Sequence, residues 1–244
     1  VTKGVENPTL YSLSAFRELS ERQGIVLKGS CRRGTVPPEA REIFRFESKP
    51  LAAIVRDMNK HSNNFMAETL LKTLGAEFKG TPGTTRKGLE VVRGYLERIG
   101  ISTGNLTLVD GSGLAHGNRV TARSLARTLQ AMNEDFELWP EFLSSLPVAG
   151  IDGTLQKRFR REELMRKVRA KTGKIAGVAS LSGYAVNETG ETFAFAILIN
   201  DYRCGTETIR DLLDQVCSCL VESSFRSSAS PAVPRQPAGR GAGR

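Results

Sequence analysis

A cation, a hydroxyl and a glycine stand in consecutive positions at Lys171, Thr172 and Gly173, shortly before a strand-like apolar run at residues 178–186. If this tripeptide lies on an edge strand, alternation places Lys171 and Gly173 on one face and Thr172 on the other. Glycine weakens a strand. Where glycine does occur in a strand, the usual reason is that another group approaches the backbone closely. An edge strand with free N–H groups and a fixed cation suits an extended peptide that ends in a carboxylate. The plain alternative is a solvated strand end.

The last third of the chain predicts an antiparallel sheet followed by a helix. Apolar runs at residues 168–171, 178–186 and 192–199 predict three strands, and residues 187–190 predict a hairpin turn between the second and third. Apolar residues at helical spacing between 209 and 220 predict an amphipathic helix. Together with the helices upstream, these strands predict a mixed α/β class.

Helical periodicity dominates the first two thirds of the chain. Two short strands are predicted at 25–27 and 42–47, and a loop at 150–155. Gly75 is expected to end the helix before it, and Thr121 to cap the helix after it. The predicted helices span residues 8–22, 51–59, 65–74, 84–98, 121–132 and 137–145.

The chain is basic, with a net charge of +9 and 7% aromatic residues. Residues 226–244 hold four arginines and no acid in a stretch of Ser, Pro, Ala and Gly, which predicts a disordered tail. Nucleic-acid binding needs a basic stripe with stacking aromatics, and most aromatics here lie inside apolar runs, so no nucleic-acid partner is expected. An anionic wall polymer or membrane surface explains the charge equally well.

No window of 18 apolar residues is present, so no transmembrane helix is expected. The sequence opens at Val1 rather than Met and shows no signal peptide, which fits a fragment or a processed chain. Cys217 and Cys219 lie two apart on a predicted helix and cannot pair with each other, so free or buried thiols are expected. The two histidines lack zinc-ligand spacing, and neither a metal nor another cofactor is expected.

A second motif, Ser-x-Asn at residues 62–64, lies upstream at a predicted helix start. Its wider context is Asn-Lys-His-Ser-Asn-Asn at 59–64, followed by Val-Asp-Gly-Ser-Gly-Leu at 109–114, Gly-Ile-Asp-Gly-Thr-Leu at 150–155 and Ala-Lys-Thr-Gly at 170–173. This series resembles the D-alanyl-D-alanine carboxypeptidase/endopeptidase family of low-molecular-mass penicillin-binding proteins. The resemblance covers most of residues 1–222.

The resemblance implies the C-terminal part of a β-lactamase/transpeptidase-like fold, with a helical subdomain, antiparallel strands and a C-terminal helix. Residues 1–48 would be the return from an inserted domain. Residues 49–225 would belong to the catalytic domain, helical over 49–147 and sheet-containing over 148–225. The tail follows at 226–244.

The resemblance also implies roles for individual residues. Ser62 would relay a proton to the leaving amine, and Asn64 would hydrogen-bond the amide carbonyl of the substrate. Lys171 would raise the local positive field and orient Ser62.

The strand residues after Lys171 would bind the substrate end. Thr172 and Gly173 would dock the acyl-D-Ala-D-Ala terminus, with its carboxylate near Thr172. The backbone N–H of Lys174 would supply one oxyanion donor, a group typically worth about 2.7–4 kcal/mol of barrier. The family commonly has Ser or Thr where this chain has Lys174.

The nucleophile of such an enzyme is missing from this sequence, because no serine is followed three residues later by lysine. Four serines have arginine in that position, and arginine cannot act as a base in proteins. In the family the nucleophile and its lysine lie far upstream, so the chain is expected to be inactive by itself.

The leading interpretation is part of a periplasmic serine-type D-Ala-D-Ala carboxypeptidase, a hydrolase that acts on peptidoglycan stem peptides and binds β-lactams. One alternative is a non-catalytic module that binds peptidoglycan peptides. A serine β-lactamase is the other, and it is disfavoured because the segments at 109–114 and 150–155 do not follow its pattern.

Overall fold

The computed structural model describes residues 5–224. The chain divides into two units, Val1–Ser48 and Lys49–Arg244. In the first unit, α1 spans Pro8–Arg22, as predicted. The Asn7 side chain accepts the N–H of Leu10 at 3.1 Å and so caps the helix, which begins with proline at its first position.

The two strands predicted in the first unit are wrong, because residues 25–27 and 42–47 have irregular backbone. A strand needs a neighbour that accepts and donates its backbone hydrogen bonds. Among residues 5–224, no segment pairs with either stretch, and Ile43 and Phe46 are 97% and 86% exposed. Arg17 of α1 instead donates to the Leu27 carbonyl at 2.7 Å.

Five helices open the second unit, and local capping chemistry sets their starts. Asn63 and Thr84 cap α3 and α4, and Thr121 forms a capping box with Ser124 at the start of α5, as expected for Thr121. The helices are α2 (Leu51–His61), α3 (Asn64–Lys79), α4 (Thr85–Arg98), α5 (Ala122–Glu134) and α6 (Trp139–Ser145).

Gly75 does not end α3, which continues to Lys79. Its role is close packing against α4, since a Cβ there would lie 2.8 Å from the Gly88 backbone nitrogen. A Cβ on Gly88 would likewise collide with the Leu71 carbonyl oxygen. The two glycines therefore let the helix backbones approach each other more closely than side chains would permit.

The three predicted strands are present as β1 (Val168–Ile175), β2 (Val178–Val186) and β3 (Thr192–Asn200), antiparallel in the order β1-β2-β3. Strand β1 runs beyond its predicted end, because its ladder with β2 continues through Gly173, opposite Ser180. A tight turn at Gly177, with φ of +70°, joins the two strands.

Helices cover both faces of this sheet. On one face, α7 (Thr206–Val221) packs Ile209 and Leu213 against Leu181 of β2. On the other face, Tyr184 donates a hydrogen bond to the Leu129 carbonyl of α5 at 2.6 Å. The site elements therefore stand on a packed α/β scaffold. The tail predicted at 226–244 lies outside the described residues.

Candidate active site

Ser62 and Asn64 form the joint between two helices. Ser62 ends α2 in the left-handed region, with φ of 53° and ψ of 52°, and Asn64 begins α3. Asn63 between them accepts the N–H of Met66 at 3.0 Å and caps α3. A left-handed backbone costs a residue with a Cβ about 1–2 kcal/mol. Such strain is typical of positions where a side chain must be aimed.

Lys171 of β1 reaches Ser62 across 109 positions of sequence. Its Nζ donates to the Ser62 hydroxyl oxygen at 2.7 Å and to the Thr172 carbonyl at 2.6 Å. Burial of the ammonium lowers the pKa of Lys171 from its ordinary value. Because both acceptors are uncharged oxygens, the positive charge remains available to an anion that enters the site.

Thr172 points away from Lys171, as alternation requires. Its hydroxyl lies 3.0 Å from the Thr154 hydroxyl. Thr154 belongs to a single turn of 3-10 helix at Gly153–Leu155, so the segment predicted as a loop at 150–155 is helical in its second half. A Cβ on Gly173 would meet Ser180 Oγ of the neighbouring strand, but this atom ends a side chain that can rotate away, so the contact does not require glycine. The close approach of a ligand to this part of the backbone stays a prediction.

Part of β1 presents an open edge. The first half is covered, since Ala149 donates to the Val168 carbonyl at 2.9 Å and Ala170 donates to the Pro147 carbonyl at 3.0 Å. In an antiparallel ladder the outward N–H groups recur at every second residue. The N–H groups of Thr172 and Lys174 therefore lie on the part of that edge that no segment of residues 5–224 covers.

The side chains on the other side of the tripeptide line a cavity of about 540 Å³. Thr154, Thr172 and Lys174 contribute to one wall, and residues at the start of α7 to another. A peptide bound along the open edge of β1 would therefore have space for side chains on the face of Thr172 and Lys174.

The loop at 109–114 is fixed by two carboxylates. Glu68 of α3 accepts the N–H groups of Gly111 and Ser112, both at 2.9 Å. Asp110 accepts the N–H of Ala115 at 2.7 Å and a side-chain bond from Asn118 at 2.9 Å. Burial disfavours the charged form of Asp110, but these hydrogen bonds outweigh it and lower the pKa of the carboxyl group.

The structure brings Ser62 and Lys171 together through their side chains, and Lys171 also binds the backbone carbonyl of Thr172. Gly173 and Lys174 follow on the same strand. Asn64 is exposed at the first turn of α3, and within residues 5–224 no hydrogen bond joins its amide to Ser62 or Lys171. The described part of the chain contains no cluster of three or more side chains suited to hold a metal ion.

Sequence reasoning missed one ion pair beside the site, between Lys60 and Asp152. Lys60 Nζ lies 2.7 Å from the carboxylate of Asp152. Both residues belong to motifs noted in the sequence, at 59–64 and 150–155, but nothing in the residue pattern shows that the two motifs touch.

Comparison with known proteins assigns the family. The model of the D-Ala-D-Ala carboxypeptidase 3 (S13) family matches residues 1–221, and the chain belongs to this family. D-alanyl-D-alanine carboxypeptidase DacB of Haemophilus influenzae is 32% identical over 205 residues, which are 82% of this chain and 42% of the relative. D-alanyl-D-alanine carboxypeptidase of Actinomadura sp. (strain R39) is 38% identical over 208 residues, covering 81% and 38%. The chain thus spans about two fifths of these relatives.

Solved structures confirm the predicted fold. The crystal structure of penicillin binding protein 4 (dacB) from Haemophilus influenzae, complexed with a β-lactam, superposes with a TM-score of 0.82 at 26% identity. It is matched over 91% of this chain and 53% of that one. The TLA-3 extended-spectrum β-lactamase, at 15% identity and a TM-score of 0.52 over 69% of this chain and 62% of its own, shares the fold alone. The mixed α/β class and the family resemblance are therefore both confirmed.

No helix among residues 5–224 is long and apolar enough to cross a membrane.

Proposed function

We propose that this chain is part of a serine-type D-Ala-D-Ala carboxypeptidase/endopeptidase that acts on peptidoglycan stem peptides through an acyl-enzyme and is acylated by β-lactams. The observation that carries the proposal is the hydrogen bond from Lys171 Nζ to Ser62 Oγ, at 2.7 Å, beside an open strand edge. Family membership supplies the reaction class. The proposed compartment is the periplasm, where peptidoglycan lies.

The nucleophilic serine and its lysine are proposed to lie in a part of the protein outside this sequence, because no serine here has lysine three positions on. The nucleophile's hydroxyl gives its proton to the neighbouring lysine, and its oxygen attacks the carbonyl carbon of the penultimate D-alanine to form a tetrahedral oxyanion. Collapse breaks the C–N bond, and the departing D-alanine amine takes up one proton, which balances the proton held by that lysine. Water then hydrolyses the ester and regenerates the serine.

Ser62 is proposed to pass that proton to the amine, because its hydroxyl can donate to the amine while it accepts from Lys171. The Lys171 ammonium cannot rotate away freely, since it also binds the Thr172 carbonyl. A fixed cation in a partly buried site stabilises negative charge more strongly than it would in water. Lys171 is thus proposed to act through its charge and through the orientation of Ser62.

The open edge of β1 is proposed to bind the peptide as an added strand. The outward N–H of Lys174 would donate to the oxyanion, and the Thr172 hydroxyl would meet the terminal carboxylate. The Lys174 side chain would bring a cation to the place where a hydroxyl is usual in the family. Asn64 is proposed to hold the substrate's amide carbonyl, for which its exposed amide is free to turn.

Labelling with a fluorescent penicillin, followed by a denaturing gel and release of D-alanine from a D-Ala-D-Ala peptide, tests this function. The whole protein, including the segment that supplies the nucleophile, should be labelled and should release D-alanine. The 244-residue chain alone should do neither. An unlabelled whole protein would refute the function, and a penicilloyl group mapped to a serine of this chain would refute the location of the nucleophile.

A further inference from the structure

An ion pair between a largely buried lysine and a partly exposed carboxylate joins the end of α2 to the segment at 150–155. Lys60 Nζ donates to the two oxygens of Asp152 at 2.8 and 2.7 Å and to the Leu146 carbonyl at 2.6 Å. The Lys60 side chain is 13% exposed, and its three N–H donors match these three acceptors. One Asp152 oxygen also accepts the N–H of Val148 at 2.8 Å.

The ion pair lies between the two halves of the site. Lys60 precedes Ser62 by two residues on α2, and Asp152 precedes Thr154 by two residues in the loop. The Thr154 hydroxyl lies 3.0 Å from that of Thr172 on β1. A continuous path of contacts therefore runs from Ser62 through the ion pair to the strand that carries Lys171.

The loop also fits closely against α2. Gly153 has φ of +57°, and a Cβ there would lie 2.7 Å from the Lys60 carbonyl oxygen. One residue earlier, Asn59 donates to the Ser145 hydroxyl at the end of α6 at 2.8 Å. The end of α2 thus contacts both the 150–155 segment and the end of α6, with Lys60 between the two contacts.

We propose that Lys60 and Asp152 are positioning residues, which hold Ser62 in register with the Lys-Thr-Gly strand during acylation; this inference rests on the proposed function. The Lys171–Ser62 hydrogen bond involves the hydroxyl that takes part in the proton transfer, so it is not independent of the reaction. The ion pair involves none of the reacting atoms, and it is intact whatever Ser62 binds.

Replacement of Lys60 by Met removes three donors and leaves the Asp152 carboxylate without its cation. Displacement of a reacting group by about 1 Å can cost about 10²-fold in rate. We therefore expect Lys60→Met to lower the acylation rate constant at saturating β-lactam by about 10- to 100-fold. The dissociation constant of the initial complex should stay within about threefold, because no docking group is removed.

The matched control is Lys49→Met. Lys49 precedes α2 and forms an ion pair with Asp57 of that helix at 3.1 Å, but its side chain is 70% exposed and Asp57 lies outside the 150–155 segment. This substitution makes the same chemical change and should leave the acylation rate constant within about threefold. A similar loss in both variants would show a general effect of charge or of α2 stability and would overturn the inference.

A double-mutant cycle tests whether Lys60 and Asp152 act as one unit. Each single variant, Lys60→Met and Asp152→Asn, should slow acylation, and the double variant should be no slower than the slower single. Losses that multiply would contradict the inference. Rates are measured on the whole protein and divided by the titrated number of penicillin-binding sites, so that a purely structural loss appears as fewer sites with a normal rate.

The outcomes separate this inference from the proposed function. If the unsubstituted protein is not acylated, the function itself is wrong. If it is acylated and Lys60→Met is acylated within about threefold of it, the function stands and the positioning role is wrong. Should Lys60→Met fail to fold, Asp152→Asn gives the same comparison, because it keeps an oxygen for the Val148 N–H while it removes the charge and one of the two oxygens that accept from Lys60.

Discussion

The close contact between α3 and α4 predicts that replacing glycine by alanine has opposite effects on stability at two positions of α4. Gly88→Ala gains about 0.8–1.0 kcal/mol of helix propensity. Its methyl group, however, would collide with the Leu71 backbone carbonyl, which cannot move as a side chain can. Overpacking of this kind costs about 1–3 kcal/mol, and a backbone contact lies at the upper end. The net expectation is a loss of about 2 kcal/mol in the free energy of unfolding.

Gly94→Ala is the matched control, because Gly94 also lies in α4 and a Cβ there meets no atom within 4 Å. Only the propensity remains, so this variant should gain about 0.5–1 kcal/mol. Urea unfolding of the whole protein, followed by circular dichroism, measures both midpoints. If Gly88→Ala is as stable as Gly94→Ala, the two helices are not in close backbone contact at this point.

Three further predictions concern the sheet and two charged groups. The isolated chain should aggregate or unfold at low temperature, because β3 and part of β1 are unpaired edges in the described sheet; a sharp, reversible transition of a monomer would argue against this. Because burial lowers the pKa of Lys171, acylation by the whole protein should decline on the alkaline side with a midpoint below the ordinary 10.5, and Lys171→Arg should lack this decline. The lowered pKa of Asp110 means that the carboxylate stabilises the folded state fully above pH 3.8, its ordinary pKa, and that this stabilisation is lost as the pH falls through the lower pKa of the folded state. Asp110→Asn should therefore flatten the acid limb of a profile of stability against pH. An unchanged acid limb would contradict the assignment.

Local chemistry made the helix starts predictable. A cap depends on one side chain and the N–H groups that follow it, so Thr121 could be assigned from sequence. The end of α3 could not be assigned in this way. Glycine is common just after a helix, but Gly75 lies inside α3 and faces the backbone of another helix. The strand predicted at 42–47 failed for a related reason, since alternation shows a possible strand but not whether a neighbour exists.

The site was predictable only in part, and for a different reason. The pairing of Ser62 with Lys171 came from the family resemblance, since nothing local links residues 109 positions apart. The first strand was predicted to end at Lys171, whereas β1 continues to Ile175 and so includes the whole tripeptide, as the edge-strand interpretation of Lys171, Thr172 and Gly173 assumes. The Lys60–Asp152 pair, across 92 positions, gave no sequence signal at all.

The most direct test of the account is the acylation rate of the whole protein with Lys171 replaced. Lys171→Ala should be slowed by about 10²–10³-fold, the effect of losing a preorganised electrostatic group, and Lys171→Arg should recover part of the rate because the charge survives. Lys174→Thr should be mild or favourable, and Lys72→Ala, at an exposed position of α3, should stay within about ±0.5 kcal/mol in stability and within about threefold in rate. Rates are measured with one penicillin and one D-Ala-D-Ala peptide. Acylation of Lys171→Ala within about threefold of the unsubstituted protein, a gap below about 1 kcal/mol, would contradict the assignment of the Lys-Thr-Gly strand to the reaction.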